Sequence, residues 1–323
     1  METVERGQDT LEFKLETWRG TREEEARVTY GPIDVIICTK NSGKTLKPVL
    51  ERVFQNIPVS NLLIIDGGST DETLSIADIY TDKIYCDGGK PLGFSRALGL
   101  ELAETEIVAF IDSDTYIPPN WYKKLIRNFS DSKTAVVTGG MIYGYNVKPL
   151  RKHGEYNCLN RNMKNWGLNN ALLKRKIIIK IGNLRRDLIS SEDVELCKRL
   201  EVNGYNWITD NSVISIHPSS LIDYINHVKW WGRGSAQTGR YKIRRIIKVT
   251  LKGFLRGIVF AIRVHPILLL YYPYQRLCWC YEFAKEIKKI KKSKKRKQNQ
   301  LQFARASIPS EMIITRKQSS QVK

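Results

Sequence analysis

Between residue 34 and about residue 120, short apolar runs alternate with amphipathic segments and polar loops. Four of the runs have the β-branched content and the length of buried strands, whereas the segments between them have helical apolar spacing. The predicted strands are residues 35–38, 62–65, 83–85 and 107–111, and the predicted helices are residues 46–56, a segment capped by Ser69 or Thr70 that ends near residue 80, and residues 94–104. Strands that alternate with helices predict a doubly wound α/β sheet.

Polar side chains follow the predicted strands, at the edge where open parallel sheets bind ligands. Thr39 and Asn41 follow the first strand, and Asp66 follows the second. Lys90 lies in the glycine-rich loop after the third strand, and Arg96 lies on the first turn of the next helix. The loop after the first strand is a candidate for binding a phosphate or a nucleotide, although it could also be an ordinary connection. The other residues are polar or charged groups that follow the next two strands.

The fourth strand ends in Asp112-Ser113-Asp114. Two carboxylates this close repel each other, so a cation is expected near them, and hard oxygen ligands suit Mg²⁺ or Mn²⁺. A D-x-D sequence on its own is more often an ordinary strand-to-loop junction. His217 follows a later apolar strand pattern and is either a further metal ligand or simply a polar residue at a strand end.

The order of the motifs resembles the glycosyltransferase family 2 enzymes with the GT-A fold. The strings that carry the resemblance are V-I-I-C-T-K-N, I-I-D-G-G-S-T-D, G-F-S-R-A-L-G, F-I-D-S-D, G-L-N-N-A and S-E-D-V-E-L-C, in that order between residues 33 and 217. Several motifs in one order are far more specific than any single one. The resemblance implies a mixed, mainly parallel sheet and inverting transfer of a sugar from a nucleotide-diphosphate sugar to an acceptor.

The resemblance also implies roles for donor-side residues. Asp66 would lie in the nucleoside pocket, and Asp112 and Asp114 would hold the Mn²⁺ or Mg²⁺ ion that bridges the donor diphosphate, Asp114 more directly. Lys90 and Arg96 would lie near the donor nucleotide. Many members have a second aspartate where this chain has Gly67, and A-R-N where it has Ser95-Arg96-Ala97. The sequence therefore leaves the nucleotide base undetermined.

On the acceptor side, the resemblance makes Asp193 the general base and places Glu192 beside it. A hydroxyl nucleophile must lose its proton as it attacks, so a carboxylate has to face the acceptor. An isolated Glu-Asp pair at a helix start is equally well explained as a helix cap. Trp230 and Arg233 correspond to the aromatic and basic segment that closes over the substrates in relatives, but they could equally be packing residues.

The carboxyl-terminal third of the chain is basic and amphipathic, in a protein whose formal net charge is +20. Nine apolar residues follow helical spacing: Ile243, Ile246, Ile247, Leu251, Phe254, Leu255, Ile258, Val259 and Ile262. This pattern is typical of a helix in a membrane interface, and a helix docked on the catalytic domain is the alternative. The uncharged stretch at residues 264–275 is too short to span a bilayer.

We therefore expect an anionic membrane surface as a partner and a peripheral or monotopic location on the cytoplasmic face of a membrane. Six cysteines without a C-x-x-C pair agree with reduced thiols in that compartment. The predicted organisation is an amino-terminal arm (1–30), a catalytic domain (31–240), interface helices (241–284) and a disordered lysine-rich tail (285–323). The acceptor would be a sugar or a polyprenyl lipid.

Two other functions would use some of the same features. A nucleotidyltransferase of similar fold also joins a carboxylate-bound metal to a nucleotide, but Glu192-Asp193 favours sugar transfer. A non-enzymatic protein that binds nucleic acid or membranes would use the basic tail. Nucleic acid is not expected, because no recognised nucleic-acid module precedes the lysine run and because a wide apolar stripe would serve no purpose there.

Overall fold

The computed structural model describes residues 31–159, 166–239 and 245–306. Seven strands form one sheet: β1 (Ile33–Thr39), β2 (Val59–Asp66), β3 (Ile84–Cys86), β4 (Ile107–Ile111), β5 (Thr134–Tyr143), β6 (Asn170–Lys174) and β7 (Asn206–His217). Their order across the sheet is β3-β2-β1-β4-β6-β5-β7. The helices are α1 (Leu46–Asn56), α2 (Thr73–Asp78), α3 (Leu92–Leu102), α4 (Trp121–Leu125), α5 (Lys148–Leu159), α6 (Arg175–Lys180), α7 (Glu192–Val202), α8 (Leu221–Gln237), α9 (Arg245–Arg263) and α10 (Leu268–Ala306).

The predicted mixed, mainly parallel sheet is confirmed. Strand β1 is parallel to β2 and to β4, and its register places Thr39 opposite Asp66. Strand β6 is antiparallel to β4, with Ile111 opposite Asn170, whereas β5 and β7 are parallel. The carboxyl ends of β1, β2 and β4 therefore meet at one edge of the sheet, where their polar loops lie.

The sheet is buried on both faces. Along β1, Val35 and Ile37 pack with Leu50 of α1 on one face, because successive side chains of a strand point to opposite sides. Ile36 packs on the other face with helix α3. A side chain at Gly99 of α3 would place its Cβ 2.5 Å from Cγ2 of Ile36, so this glycine allows the close approach of helix and sheet.

Two local predictions are wrong. Ser69 and Thr70 do not cap α2, which begins only at Thr73, because Ser69 donates its hydroxyl to Asp66 and Thr70 donates its backbone N–H to Asn41. The lysine-rich segment from residue 285 to 306 is not disordered but continues helix α10. Lysine, arginine and glutamine are good helix formers, and buried Glu286 fixes the start of this segment.

The remaining predicted segments fall partly outside the described residues: the arm at residues 1–30 does so entirely, and the tail does so from residue 307 onwards. Among the residues described, helices α9 and α10 are amphipathic or charged, and no helix combines the length and apolar composition needed to cross a membrane.

Candidate active site

The loops after β1 and β2 are joined by hydrogen bonds around Asp66. Thr39 donates its hydroxyl to Oδ1 of Asp66 at 2.9 Å, and the backbone N–H groups of Gly68 and Ser69 donate to Oδ2 at 2.9 and 2.8 Å. Burial alone would favour the neutral acid, but these donors, with the Ser69 hydroxyl, hold the pKa of Asp66 below its usual value. Asp66 is therefore an ionised residue held at the edge where nucleotides bind in such sheets.

Asn41 connects the same two loops. Its backbone N–H donates to the Ser69 hydroxyl at 2.8 Å, and its side-chain oxygen accepts from the backbone N–H of Thr70 at 2.9 Å. Lys90 is exposed on the loop after β3, and its backbone N–H donates to Asp87 at 3.3 Å. Thr39, Asn41 and Asp66 thus form one unit, whereas a role for Lys90 stays a prediction.

Arg96 forms the centre of a buried ionic network. Only 3% of this residue is exposed, and its Nη2 donates to Oδ1 of Asp112 at 2.6 Å while its Nη1 donates to Glu192. The two carboxylates raise the pKa of Arg96 in spite of its burial, which acts in the opposite direction. The network connects the loop after β4 with the start of α7, and this connection lies beyond what the motifs could show.

Asp193 is the second residue of α7 and lies next to this network. Burial, and then the negative charge of Glu192, raises the pKa of Asp193 to about 7. One carboxylate oxygen accepts the backbone N–H of Val194 at 2.6 Å. A carboxylate whose pKa lies near neutral pH is well matched to general-base work. The predicted role of Asp193 is thus chemically consistent with its surroundings.

Asp114, His217 and His227 form a compact cluster of candidate metal ligands. Ligand atoms of the three residues all lie within 4.8 Å of one another, and Nε2 of His217 is 2.9 Å from Oδ2 of Asp114. A bridge between Tyr116 and Ile216 brings the loop after β4 to the end of β7 and so places His217 beside Asp114. His227 comes from helix α8.

The donor set of this cluster fits a divalent transition metal. The Nδ1 atoms of both histidines are buried without a hydrogen-bond partner. Burial, and then the charge of His217, lowers the pKa of His227, which favours the neutral form that binds metals. Burial alone would lower the pKa of His217 too, but the hydrogen bond with Asp114 and the charge of Asp114 raise it, so a metal that binds there would displace its proton. One carboxylate and two imidazoles suit Mn²⁺ better than Mg²⁺, which prefers oxygen ligands.

The two aspartates predicted to bind the metal, Asp112 and Asp114, have different partners in the structure. Asp114 belongs to the histidine cluster, whereas Asp112 is bound to Arg96 and is not part of that cluster. His227 was missed by sequence analysis. It lies in no recognised motif, and only the packing of α8 against the end of β7 brings it to His217, with ring centroids 5.2 Å apart.

Aromatic residues surround the cluster. The ring of Tyr143 lies 5.6 Å from that of His217 and makes an edge contact with Trp231 at 5.5 Å. The predicted Trp230 lies farther from the cluster, with its ring centroid 6.4 Å from His227, and its carbonyl accepts the Ser190 hydroxyl at 3.0 Å. Trp231 therefore contacts the aromatic group around the cluster, in addition to the predicted Trp230.

Arg233 is exposed, and its Nε lies 3.8 Å from a carboxylate oxygen of Glu282 in α10. This contact places Arg233 between helices α8 and α10, as expected for the packing alternative. No described contact joins it to Asp193 or to the histidine cluster. Its predicted role on the acceptor side stays a prediction.

Helix α8 holds the loop that precedes Asp193. A Cβ at Gly234 would lie 1.9 Å from the Ser190 hydroxyl, so the helix and the loop are in direct contact. Gln237 accepts the backbone N–H of Ile189 at 3.2 Å and donates to Glu286 of α10 at 2.9 Å. One helix thus contacts the histidine cluster, the loop before the candidate base and the long helix α10.

Comparison with known proteins gives a consistent result. Residues 34–185 match the sequence model described as Glycosyl transferase family 2. The chain is 26% identical over 121 residues to a glucosyl-dolichyl phosphate glucuronosyltransferase of Haloferax volcanii, which covers 34% of this chain and 38% of that protein. It is 26% identical over 193 residues to the O-antigen chain rhamnosyltransferase WbaN of Salmonella anatum, with coverages of 53% and 61%. The chain thus spans less than two thirds of the length of these relatives.

The same fold occurs in a solved structure. The mannosyltransferase PcManGT from Pyrobaculum calidifontis, in complex with GDP-Man and Mn²⁺, superimposes with a TM-score of 0.52. The sequence identity is 17%, and the match covers 80% of this chain and 75% of that protein. At this identity the likeness establishes a shared GT-A fold.

Proposed function

The chain belongs to glycosyltransferase family 2, and from this premise we propose that it transfers a sugar from a nucleotide-diphosphate sugar to an acceptor with inversion of configuration. One observation carries the proposal: a cluster fit for a metal ion, Asp114 with His217 and His227, lies at the sheet edge that also holds Asp193. The network of Arg96 fixes the two parts relative to each other.

The donor would bind along the loops after β1, β2 and β4. Thr39, Asn41 and Asp66 offer polar groups from one hydrogen-bonded unit. The Ser42 and Ser113 hydroxyls lie 2.8 Å apart and join this unit to the loop that carries Asp114. When bound, the divalent ion would neutralise the charge that develops on the leaving diphosphate.

Asp193 would take the proton from the acceptor hydroxyl as it attacks the sugar. Inversion requires a base on the side opposite the leaving group, and a single carboxylate is sufficient for this step. The buried pair of Arg96 and Glu192 would hold the start of α7 in position, so that Asp193 keeps a fixed distance from the donor. Glu192 acts through position because its carboxylate is already bound to Arg96.

For the acceptor, we propose a polyprenyl-linked sugar or phosphate in preference to a free sugar. A cavity of about 90 Å³ lies between the aromatic group and the carboxyl-terminal helices. Its lining includes Tyr143, Tyr224, Tyr271, Tyr272 and His153. This cavity is smaller than the roughly 300–1,000 Å³ of pockets that enclose a whole ligand, so it would not hold a polyprenyl chain. The proposal rests instead on the relative that is named for a dolichyl phosphate substrate.

The first experiment is calorimetric binding of a panel of nucleoside diphosphates in the presence of Mn²⁺ and then of a chelator. We expect one nucleotide to bind only with the metal, and Asp114→Ala to abolish that binding. Asp82→Ala, which replaces an exposed aspartate after α2, is the matched control and should bind normally. The proposal is wrong if the folded protein binds none of the nucleotides.

A turnover assay then separates sugar transfer from nucleotidyl transfer. With the nucleotide sugar identified by binding, sugar transfer releases the nucleoside diphosphate, whereas a nucleotidyltransferase supplied with the nucleoside triphosphate and a sugar 1-phosphate releases pyrophosphate. Mass spectrometry of the products distinguishes the two. Release of pyrophosphate would overturn the proposed reaction while leaving the fold assignment intact.

A further inference from the structure

Helix α9 exposes a continuous stripe of large apolar side chains. Six of them are between 44% and 81% exposed: Ile247, Leu251, Phe254, Leu255, Ile258 and Ile262. Their spacing of three and four residues places them on one face of the helix. Soluble proteins rarely expose so many large apolar groups side by side unless the surface binds something.

The opposite face of α9 is already occupied. A Cβ at Gly253 would lie 2.4 Å from the side chain of Arg276, and a Cβ at Gly257 would lie 3.3 Å from the backbone oxygen of Leu268. The glycine face therefore packs directly on α10, and α10 in turn packs on α8. Among the described residues, these helices leave the apolar stripe of α9 uncovered.

The outer face of helix α10 is also exposed, and it has an apolar part and a cationic part. Leu270, Tyr274, Leu277 and Tyr281 are 53–74% exposed and follow one another at helical spacing. The same helical face continues into four exposed lysines, which are Lys285, Lys288, Lys292 and Lys295. An apolar half is thus followed by a cationic half on one face of a single helix.

We propose that the outer faces of α9 and α10 form a binding surface for an anionic lipid bilayer. The apolar stripe and the apolar half of α10 would enter the boundary between headgroups and acyl chains, and the lysine half would lie over the headgroups. Lys248, Lys252 and Arg256 are also exposed along α9 and would meet anionic lipids beside the stripe.

A membrane accounts for both the apolar stripe and the positive charge, whereas a second copy of the chain or a nucleic acid accounts for only one of them. A second copy of the chain would bury the apolar stripe, but it would bring together two surfaces of strong positive charge. A nucleic acid would neutralise the lysines but would have no use for six exposed apolar side chains. Only an anionic membrane offers an apolar layer and a negative surface next to each other.

The surface is also connected with the candidate active site. Glu286 lies in the cationic half of α10 and is only 9% exposed, and it accepts a hydrogen bond from Gln237 of α8. Through Gln237 and Gly234, helix α8 contacts the loop before Asp193. Binding to a membrane would therefore fix the active site at a constant height above the lipid, where a lipid-linked acceptor is found.

The test is co-sedimentation of the full chain with large vesicles of phosphatidylcholine alone or of phosphatidylcholine mixed with phosphatidylglycerol. We expect binding to the anionic vesicles, with weaker binding at high salt. Leu255→Asp should weaken it by roughly tenfold or more, because the burial of one leucine side chain contributes at least that factor to partitioning. The control Ile79→Asp, at a residue 77% exposed beside α2, should bind as the wild type does.

A second variant tests the lysine half. Lys288→Gln with Lys292→Gln and Lys295→Gln should reduce binding to anionic vesicles and its salt dependence, and should leave the helix folded because glutamine is also a good helix former. Circular dichroism and ultracentrifugation of every variant show whether the fold and the oligomeric state are kept. Binding by the lysine variant equal to that of the wild type would overturn the assigned role of these residues.

Three results would overturn the proposal as a whole. They are the absence of vesicle binding, equal vesicle binding by Leu255→Asp and the wild type, and a dimer that Leu255→Asp dissociates while vesicles are not bound. Binding to a DNA or RNA duplex in place of vesicles would likewise reassign the surface. None of these measurements uses a nucleotide sugar, so they remain informative even if the proposed sugar transfer is wrong.

Discussion

Arg96 and Glu192 form an ion pair that is almost fully buried, with the guanidinium group donating to the carboxylate. The side chains are 4% and 1% exposed. The replacement Arg96→Met would leave the Glu192 carboxylate without its partner in the protein interior. We expect the free energy of unfolding to fall by roughly 3–5 kcal/mol, as is typical when one member of a buried pair is removed. Urea denaturation of the wild type and the variant measures this difference.

The control is an arginine–carboxylate pair at the surface. Arg185 lies 2.6 Å from Asp187, but these side chains are 37% and 66% exposed, so Arg185→Met should change stability by less than about 1 kcal/mol. Equal losses for the two variants would contradict a special contribution from Arg96. The positive charge of Arg96 lowers the pKa of Asp193. In the Arg96→Met protein that remains folded, the pH dependence of activity should therefore shift to higher pH.

The second prediction concerns the rate at different pH values. A base with a pKa of about 7 must lose its proton to act, so kcat/KM for the acceptor should rise with pH through about 7 and then level off. Asp193→Asn should lower kcat by roughly 10²–10⁴-fold and abolish this rise. Glu195→Gln, two residues further along α7, is the matched control. A rise that persists in Asp193→Asn would assign the proton transfer to another group.

The same carboxylate gives a prediction for stability. The pKa of Asp193 is raised from 3.8 to about 7 in the folded protein, so the folded state binds this proton more tightly than the unfolded chain. The stabilisation it provides is complete below about pH 4 and is lost as the pH rises through about 7. Asp193→Asn stays neutral, so its stability relative to the wild type should be higher at about pH 8 than at about pH 4. Denaturation curves at the two pH values test this, and a constant difference would contradict it.

The amino-terminal strands and the order of the motifs were predictable from the sequence. Strand β5 was not predicted, and the residue contacts of the site were predictable only in part. The apolar run at residues 107–111 indicated β4 correctly because a buried strand leaves a local signal. The pairing of Arg96 with Glu192 leaves no local signal in the sequence, since the two residues are far apart in the chain. Helix α10 was mistaken for a tail beyond residue 284, because a lysine run has the same composition in a solvated helix as in a disordered segment.

The fourth prediction concerns His227. If it is a metal ligand together with Asp114 and His217, then His227→Ala should weaken Mn²⁺ binding by more than roughly tenfold, the lower end of the effect of changes around metal sites. Isothermal titration of the purified protein with Mn²⁺ measures the affinity without any substrate. His265→Ala, between α9 and α10 and outside the cluster, is the control. Unchanged affinity in His227→Ala would exclude this residue as a ligand.

The last prediction tests the contact between helix α8 and the loop that precedes the candidate base. In Gly234→Ala, the new Cβ would lie 1.9 Å from the Ser190 hydroxyl and 2.4 Å from the Ser190 backbone oxygen, so the loop or the helix must move. We expect a loss of about 1–3 kcal/mol in the free energy of unfolding, as for other overpacked sites. Because Asp193 lies just after this loop, kcat should fall more than KM rises. Ile222→Ala, at a 72% exposed position near the start of the same helix, should change neither by a comparable amount. A drop in stability without any change in kcat would show that the loop does not position Asp193.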